Sequence, residues 1–300
     1  MTAKVLVCDP IANDGITIME KRGYEVTKAW DLPKTELPIL VGDYEAIIVR
    51  SATKVTAKLL DKAKKLKVIG RAGEGLDNID LKKAREMGVT VVNTPHVAAV
   101  SVAELTIGHL LALARGIVEG TVSLREGKWI KEDLMGTEIN GKTLGIVGCG
   151  SIGKTVERLA LALGMKVVGV DMCVYGRFVT LEEMLPQADF ITIHVPLSPH
   201  TRHLISTKEF EMMKDGVMIV DCSRGGVVDQ EALYHALVSG KVRAAALDVF
   251  EEEPPKNTKL LKLKNVHATP HIGAQTYEAQ AKSSNLVAER VIAELEKTAI

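Results

Sequence analysis

The sequence predicts an α/β protein built from two doubly wound parallel-sheet domains. Short runs rich in β-branched residues alternate with helical stretches along nearly all of its 300 residues, and that alternation is typical of βαβ units in parallel sheets. One long helical pattern over residues 100–126 separates two such series. Because a closing helix over residues 276–297 is predicted to return to the first series, we expect one domain of residues 1–98 plus 275–300 and another of residues 99–274.

Each predicted element follows from its local pattern. The first series has four buried strands, over residues 4–8, 46–49, 67–69 and 90–92, with amphipathic helices over residues 56–65 and 81–86. The long helix is predicted to begin at the capping-box pattern Ser101-x-x-Glu104. The second series has strands over residues 144–147, 165–170, 190–194, 217–221, 243–247 and 266–268.

Composition and charge exclude several classes of protein. The 38 Lys plus Arg residues balance 38 Asp plus Glu residues, so we expect no nucleic-acid partner held by bulk electrostatics. Hydrophobic residues make up 46% of the chain and charged residues 25%, as in ordinary globular proteins, which excludes disorder. No apolar stretch reaches the roughly eighteen residues of a membrane span, and the N-terminus lacks a signal-peptide pattern, so no membrane partner is expected.

The cysteines indicate the redox compartment. Cys8, Cys149, Cys173 and Cys222 share no metal-ligand spacing, and each ends or follows an apolar run. We therefore expect small buried reduced thiols, no metal site and a cytoplasmic location.

A glycine-rich loop predicts dinucleotide binding. The strand over residues 144–147 runs into Gly148-x-Gly150-x-x-Gly153, and a helix is predicted over residues 154–163. These glycines allow a tight turn, close approach of the backbone to a pyrophosphate, and close packing of helix on strand. The next strand ends at Asp171, where a carboxylate accepts hydrogen bonds from the adenosine ribose and repels a 2′-phosphate, so NAD is expected over NADP.

Three later strand ends carry polar residues where a doubly wound sheet binds its ligand. Arg224 lies among small residues after one strand and can hold a carboxylate with two parallel hydrogen bonds. An acidic run ending at Glu253 precedes two prolines, and His271 lies between a proline and the start of a helix. An acidic run is ordinarily a solvated loop and a lone histidine ordinarily structural, but together the three indicate acid–base chemistry on an anionic substrate.

At this point the sequence resembles a known family, the D-isomer-specific 2-hydroxyacid dehydrogenases. The resemblance covers essentially the whole chain, including residues 48–55, 70–73, 75–80, 135–145 and the arginine, acid and histidine loops. Within the family it is most similar to the short-form enzymes that act on phosphoglycerate. The resemblance implies NAD-dependent oxidation of 3-phospho-D-glycerate to 3-phosphohydroxypyruvate, a step of serine biosynthesis.

The resemblance also implies a role for each matching residue. Arg224 would bind the substrate carboxylate and 2-oxygen, His271 would take the proton of the 2-hydroxyl, and Glu253 would hydrogen-bond His271 and fix its tautomer. Positions that match cofactor-lining ones are Gly148, Gly150, Ser151, Ile152, Gly153, Asp171, Val195, Cys222, Asp248 and Ala274. Positions that match the substrate-side loops are Arg50, Ser51, Gly73 and Gly75, with Arg50 the candidate for a phosphate.

The family organisation gives the two predicted domains their expected functions. Residues 1–98 with 275–300 would form a flavodoxin-like substrate-binding domain, and residues 99–274 a Rossmann domain for NAD, with a cleft between them. Dimerisation through the long-helix region is implied, and no C-terminal regulatory domain is expected after residue 300.

Three departures from the family pattern leave the substrate open. Glu74 replaces a small or hydroxyl residue in the Arg-Ala-Gly-x-Gly loop, Ala98 replaces an asparagine, and the stretch 171–181 is shorter than in most relatives. We predict that Glu74 is paired with Arg71 or Lys54, because an unpaired carboxylate would repel a phosphate. The alternatives are a glyoxylate/hydroxypyruvate or general D-2-hydroxyacid reductase and, in a different class, a binding protein that senses NAD.

Overall fold

The alternation of buried strands and helices is present in the computed structural model, which describes residues 3–33, 35–170, 179–256 and 258–297. The strands are β1 (Lys4–Val7), β2 (Glu25–Lys28), β3 (Ala46–Val49), β4 (Val68–Arg71), β5 (Thr90–Asn93), β6 (Thr143–Val147), β7 (Lys166–Val170), β8 (Phe190–Ile193), β9 (Val217–Asp221), β10 (Val242–Leu247) and β11 (Val266–Ala268). The helices are α1 (Asn13–Lys21), α2 (Leu37–Leu40), α3 (Ala57–Leu60), α4 (Leu81–Glu86), α5 (Ala99–Arg115), α6 (Ile117–Arg125), α7 (Ser151–Ala162), α8 (Leu181–Met184), α9 (Thr207–Met212), α10 (Gln230–Val238) and α11 (Tyr277–Lys297). The chain divides into a first unit, Met1–Ala98 with Gln275–Ile300, and a second unit, Ala99–Ala274.

The first unit is a parallel sheet with a packed core on both faces. Its strand order is β2-β1-β3-β4-β5, and each neighbouring pair is parallel. All four residues of the central strand β3 are buried, as expected of a parallel strand covered on both sides. One core cluster joins the sheet to α3 and α4, and the other joins it to α1 and α11.

Helix α11 brings the end of the chain back to the first sheet. Its buried side chains include Ala279, Ser283, Val287, Val291 and Leu295. They recur every four residues, which places them on one face of a helix. Val287 and Val291 belong to the same core cluster as residues of β1, β3 and β4, so this sheet is completed by a segment far away in sequence.

The second unit is a larger parallel sheet, with strand order β11-β10-β9-β8-β6-β7. Each neighbouring pair is again parallel. Helix α5 is apolar on most of its surface and packs against β9, β10 and α7. The fold class expected from the sequence is therefore confirmed: both units are doubly wound parallel-sheet α/β structures.

Each sheet has one point where the strand order reverses direction. In the first unit the chain passes from β1 outward to β2 and then returns to β3 on the other side of β1. In the second unit it passes from β6 to β7 and returns to β8 on the other side of β6. Ligands of doubly wound sheets bind outside the carboxyl ends of the strands at such a point. The loops that begin there are those of Asp9 and Arg50 in the first unit, and of Gly148 and His194 in the second.

The long helix predicted over residues 100–126 is wrong as a single helix. It is divided at Gly116, which has a left-handed φ of 61°, a conformation that glycine adopts at little cost. The axes of α5 and α6 differ by 66°. In addition, α5 begins at Ala99, so Ser101 lies inside the helix rather than at its N-cap. The local capping pattern was overridden by an earlier start.

Other elements also differ from the sequence prediction. The helix predicted over residues 56–65 is shorter, because α3 ends at Leu60. Strand β2 was missed because its side chains are exposed or only half-buried, and an edge strand of that kind lacks the apolar run of a central strand. Helix α7 begins at Ser151, directly after Gly150, and not at residue 154.

Among the described residues, no single helix is long and apolar enough to cross a membrane. Taken together, the helices of the bent pair Ala99–Arg115 and Ile117–Arg125 have the length and apolar composition of a membrane span.

Candidate active site

The glycine loop of the second unit joins β6 to α7 in close contact with the neighbouring strand end. A Cβ atom at Gly148, whose φ is 96°, would lie 2.8 Å from the carbonyl carbon and oxygen of His194. A Cβ at Gly153 would overlap the carbonyl oxygen of Gly148. Side chains are excluded at both positions, so the backbone of the loop is left open at the first turn of α7.

The other residues expected to line the cofactor lie at the same edge of the second sheet. Ser151 and Ile152 form the first turn of α7, and Val195, Cys222 and Asp248 follow β8, β9 and β10. Ala274 ends the loop after β11. Asp171 lies outside the described residues, and so does most of the shortened stretch 171–181.

His271 and Glu253 form a direct pair. The imidazole Nδ1 lies 2.8 Å from Glu253 Oε2, and the backbone N–H of Phe250 donates to Glu253 Oε1 at 3.1 Å. Burial acts to raise the pKa of Glu253, but His271, Phe250 and Arg224 outweigh it and hold that pKa below its ordinary value. Because an ionised carboxylate only accepts, Nδ1 carries the proton. The Nε2 of a neutral His271 is thereby left as the basic atom.

Arg224 is placed beside this pair by the close approach of two loops. A Cβ at Gly225 would overlap the carbonyl oxygen of Phe250, so only glycine lets the arginine loop approach the loop of Glu253. Arg224 Nη1 donates to the carbonyl oxygen of Ser223 at 2.8 Å. The positive charge of Arg224 also contributes to lowering the pKa of Glu253. The structure therefore brings together the three residues for which the sequence predicted catalysis.

The arginine loop is supported by a buried acid. Asp221 Oδ1 accepts from the backbone N–H of Ser223 at 2.9 Å and from its hydroxyl at 2.6 Å. Asp221 is 2% exposed, and burial raises its pKa to about 6 in spite of these bonds. The acid fixes Ser223 directly before Arg224.

In the first unit, the expected substrate-side residues follow β3 and β4. Arg50 Nη2 donates to Gln275 Oε1 at 2.8 Å and Nη1 to the carbonyl oxygen of Pro10 at 3.2 Å. Burial lowers the pKa of Arg50 from its ordinary value. Ser51 comes next, and Gly73 and Gly75 lie in the loop after β4. The carboxyl ends of β3 and β4 are neighbours in the sheet, so these two loops share one edge.

A buried aspartate shapes the loop of Arg50. Asp9 Oδ2 accepts from the backbone N–H of Arg50 at 2.6 Å and of Thr53 at 3.1 Å. The hydroxyl of Thr53 donates to Asp9 Oδ1 at 2.7 Å. The Asp9 side chain is thus fully engaged with the loop that starts at Arg50.

Glu74 has a different partner from those predicted. The sequence predicted Arg71 or Lys54 as the partner, and the structure shows a pair with His96. Glu74 Oε1 lies 3.8 Å from His96 Nδ1, and Glu74 Oε2 accepts a hydrogen bond from the backbone N–H of His96 at 3.3 Å. His96 follows β5 and has a left-handed φ of 66°. Its side chain is 70% exposed and that of Glu74 is 45% exposed. The carboxylate at this edge therefore faces a histidine.

Comparisons with known proteins agree on one family. Residues 107–273 match the sequence profile of the D-isomer specific 2-hydroxyacid dehydrogenase, NAD binding domain. Hydroxypyruvate reductase of Thermotoga maritima is 49% identical over 301 residues, covering 97% of this chain and 98% of that protein. The chain belongs to the D-isomer-specific 2-hydroxyacid dehydrogenases.

Two further relatives of this dehydrogenase extend the comparison. D-3-phosphoglycerate dehydrogenase of Methanocaldococcus jannaschii is 49% identical over 297 residues, covering 96% of this chain. The chain spans 56% of the length of that protein. The crystal structure of the TT0316 protein from Thermus thermophilus has a TM-score of 0.90 and 37% identity, covering 98% of this chain and 97% of that one.

NAD is the cofactor of this dehydrogenase family, and the glycine loop of the chain fits it. The two positions where a Cβ would collide with backbone, Gly148 and Gly153, are those that a pyrophosphate-binding turn keeps free of side chains. The first turn of α7 presents backbone N–H groups and the positive end of the helix dipole at the same place.

Sequence reasoning missed three polar residues of the dehydrogenase, of which His109 is buried and His194 and Thr269 are half-buried. His194 follows β8, and neither of its ring nitrogens has a hydrogen-bond partner within the described residues. Burial lowers its pKa to about 3. Thr269 donates a hydrogen bond to Asp248, and His109 is hydrogen-bonded to Thr269. No local sequence pattern predicts these contacts, since each residue lies in a strand, loop or helix segment without a motif.

Proposed function

We propose that the chain oxidises 3-phospho-D-glycerate to 3-phosphohydroxypyruvate with NAD, a step of serine biosynthesis. One observation carries the chemistry: His271 is paired with Glu253 at 2.8 Å, beside the loop of Arg224, at the carboxyl edge of the NAD-binding domain. The phosphoglycerate dehydrogenase name of the M. jannaschii relative supports the substrate.

The proposed roles follow from the protonation states of the pair. His271 Nε2 takes the proton of the substrate 2-hydroxyl, while Nδ1 remains hydrogen-bonded to Glu253. The Glu253 carboxylate stabilises the resulting imidazolium and keeps the ring in place. Arg224 binds the substrate carboxylate through its planar guanidinium. When bound, NAD supplies the acceptor for the hydride that leaves C2.

The proposal extends to the cofactor-lining residues. Gly148, Gly150 and Gly153, with Ser151 and Ile152, would hold the pyrophosphate at the start of α7. The remaining members of the set are Asp171, Val195, Cys222, Asp248 and Ala274. The first unit would be the substrate-binding domain, with Ser51, Gly73 and Gly75 in its substrate loops.

Arg50 supports an anionic group at the far end of the substrate. It is the arginine at the carboxyl end of the central strand β3, beside the point where the strand order reverses. A guanidinium remains charged at all ordinary pH values, and its hydrogen bonds to Gln275 and Pro10 hold it near the sheet edge. A phosphate is the group that such a cation binds best.

Replacing Arg50 tests the phosphate assignment. In Arg50→Ala we expect KM for 3-phospho-D-glycerate to rise at least about tenfold, the value of a lost charged hydrogen bond, and KM for D-glycerate to change much less. Arg22→Ala is the matched control, because Arg22 lies in the same unit and is 62% exposed in a pair with Glu296. Equal effects of Arg50→Ala on both substrates would contradict the phosphate assignment.

A glyoxylate or hydroxypyruvate reductase is the second candidate, and Glu74 favours it. A carboxylate that faces His96 in the substrate loops repels a phosphate but accepts a hydrogen bond from a substrate hydroxyl. The T. maritima relative is named hydroxypyruvate reductase. A panel of 2-hydroxy and 2-oxo acids, followed at the nicotinamide absorbance, separates the two: higher kcat/KM for glyoxylate or hydroxypyruvate would select the reductase.

The proposal includes a cytoplasmic homodimer. Large apolar side chains are exposed along α6 and the following segment, at Ile117, Val122, Leu124, Trp129 and Met135. A surface of this kind suits self-association. The cysteines of the described residues, Cys8, Cys149 and Cys222, are free and buried, which suits a reducing compartment. Sedimentation velocity at micromolar concentration tests the dimer, and a monomer would contradict it.

A further inference from the structure

From the hydrogen bonds around the buried side chain of Asp248 we infer that Thr269 and His109 are positioning residues for His271. They would act through the carboxylate of Asp248, which binds the loop on both sides of the catalytic histidine. The inference rests on the proposed role of His271, and it assigns a function to two residues that lie outside the predicted site.

Asp248 ties together the loop that carries His271. Its Oδ1 accepts from the hydroxyl of Thr269 at 2.6 Å and from the backbone N–H of Ile272 at 2.8 Å. Its Oδ2 accepts from the backbone N–H of Gly273 at 2.8 Å. Asp248 is 1% exposed. These donors come from before and after His271, so one buried carboxylate fixes both flanks of that residue.

The backbone of His271 needs such support. Its φ is 54°, in the left-handed region that residues other than glycine rarely adopt. A residue held in such a conformation stores strain that its surroundings have to offset. Successive N–H groups after a left-handed residue converge on an anion, and here the anion is the Asp248 side chain. The N–H of His271 itself donates to the carbonyl oxygen of Thr269 at 3.0 Å.

The direction of the hydrogen bonds follows from counting protons. The Thr269 hydroxyl has one proton, and its bond of 2.6 Å to Asp248 uses that proton. The contact of 3.1 Å between Thr269 Oγ1 and His109 Nε2 then requires Nε2 to donate. His109 is therefore protonated on Nε2 and orients the hydroxyl of Thr269 towards Asp248.

The surroundings of His109 keep its imidazole neutral. Burial lowers the pKa of His109. The negative charge of Asp248 opposes this shift, and the neighbouring His267 adds to it. His267 is itself buried and paired with Glu119 of α6 at 2.9 Å. A neutral ring with its single proton on Nε2 gives the chain of bonds one direction, from His109 through Thr269 to Asp248 and the loop.

Kinetics of Thr269→Val tests the inference. We expect kcat to fall about tenfold to hundredfold, the range for a hydrogen bond to a charged group. Thr269→Ser keeps the hydroxyl and should restore kcat.

A matched control and a double variant sharpen the test. Thr192→Val makes the same change at a fully buried threonine whose hydroxyl has no partner within the described residues, so it should leave kcat unchanged. His109→Leu should lower kcat less than Thr269→Val. The combined variant should lose no more than Thr269→Val alone, because the two residues act in series.

The outcomes separate this inference from the proposed function. Near wild-type kcat in Thr269→Val would overturn it, as would equal losses in Thr192→Val. NMR of the histidine side chains provides a readout without turnover: a proton on Nε2 of His109 supports the inference, and one on Nδ1 overturns it. A wild-type chain that oxidises no 2-hydroxyacid would contradict the proposed function. The NMR result would then still show whether His109 donates to Thr269.

Discussion

The carboxyl edges of the two sheets share one arrangement of backbone hydrogen bonds but differ in the side-chain pairs that they hold. At each edge, a buried aspartate binds N–H groups of the neighbouring loop: Asp9 binds the loop of Arg50, and Asp248 binds the loop of His271. Each edge also has a histidine with left-handed φ that faces a glutamate, His96 with Glu74 and His271 with Glu253.

The difference between the two pairs lies in distance and exposure. His271 Nδ1 and Glu253 Oε2 are 2.8 Å apart, with side chains 39% and 38% exposed. The corresponding atoms of His96 and Glu74 are 3.8 Å apart, with side chains 70% and 45% exposed. A short hydrogen bond fixes a tautomer, whereas a longer and more exposed pair is screened by water. The comparison teaches that the same residue types form a short hydrogen bond at one edge and a longer, more exposed pair at the other.

The largest effect expected from this comparison is that of removing each histidine in turn. His271→Asn should lower kcat by about two to four orders of magnitude, the range for losing a general acid–base group. His96→Asn should change kcat less than about fivefold, because exposed pairs contribute little. Steady-state kinetics measures both, and thermal unfolding shows that each variant is folded. Similar losses in the two variants would abolish the distinction between the edges.

A second effect is the pH dependence of stability that comes from Asp221, the buried acid that supports the Arg224 loop. The folded-state pKa of Asp221 is raised to about 6, so its contribution to stability is present at acid pH and is lost as the pH rises towards 6 and above. The loss amounts to about 3 kcal/mol in the free energy of unfolding. Asp221→Asn should therefore be less stable relative to wild type at pH 4 than at pH 7, as measured by urea unfolding. A stability difference that does not vary with pH would show that the pKa of Asp221 is not raised in the folded protein.

The smallest effect expected is at Glu74. Glu74→Gln removes a partly screened charge, so KM for 3-phospho-D-glycerate should fall about twofold to fivefold, with little change for D-glycerate. Glu86→Gln, at the end of α4 in the same unit, is the matched change of charge away from the sheet edge. A rise in KM would instead show that Glu74, through His96, helps to bind the substrate.

Local patterns in the sequence predicted the parts of the site that depend on neighbouring residues. The glycine loop, the strand ends and the positions of Arg224, Glu253 and His271 along the chain all follow from short-range spacing. The partner of Glu74 did not, because the choice between His96 and a nearby cation depends on how two loops meet. The bond between His109 and Thr269 joins residues 160 positions apart, and no periodicity in either segment indicates it.

Backbone conformations that cost little also escaped prediction. The single helix expected over residues 100–126 has good helical patterning, and its break depends on one left-handed glycine, Gly116. Strand β2 is half-buried at the edge of its sheet, so its pattern is weak although its pairing with β1 is regular.

The return of α11 to the first sheet has a consequence for synthesis on the ribosome. Residues 1–98 are translated before the second unit, but Val287 and Val291, which help to cover β1, β3 and β4, are translated after it. The second unit is continuous in sequence and can fold while that apolar face is still uncovered. The nascent chain therefore carries an uncovered sheet while the second unit is translated, which is the kind of intermediate that chaperones bind.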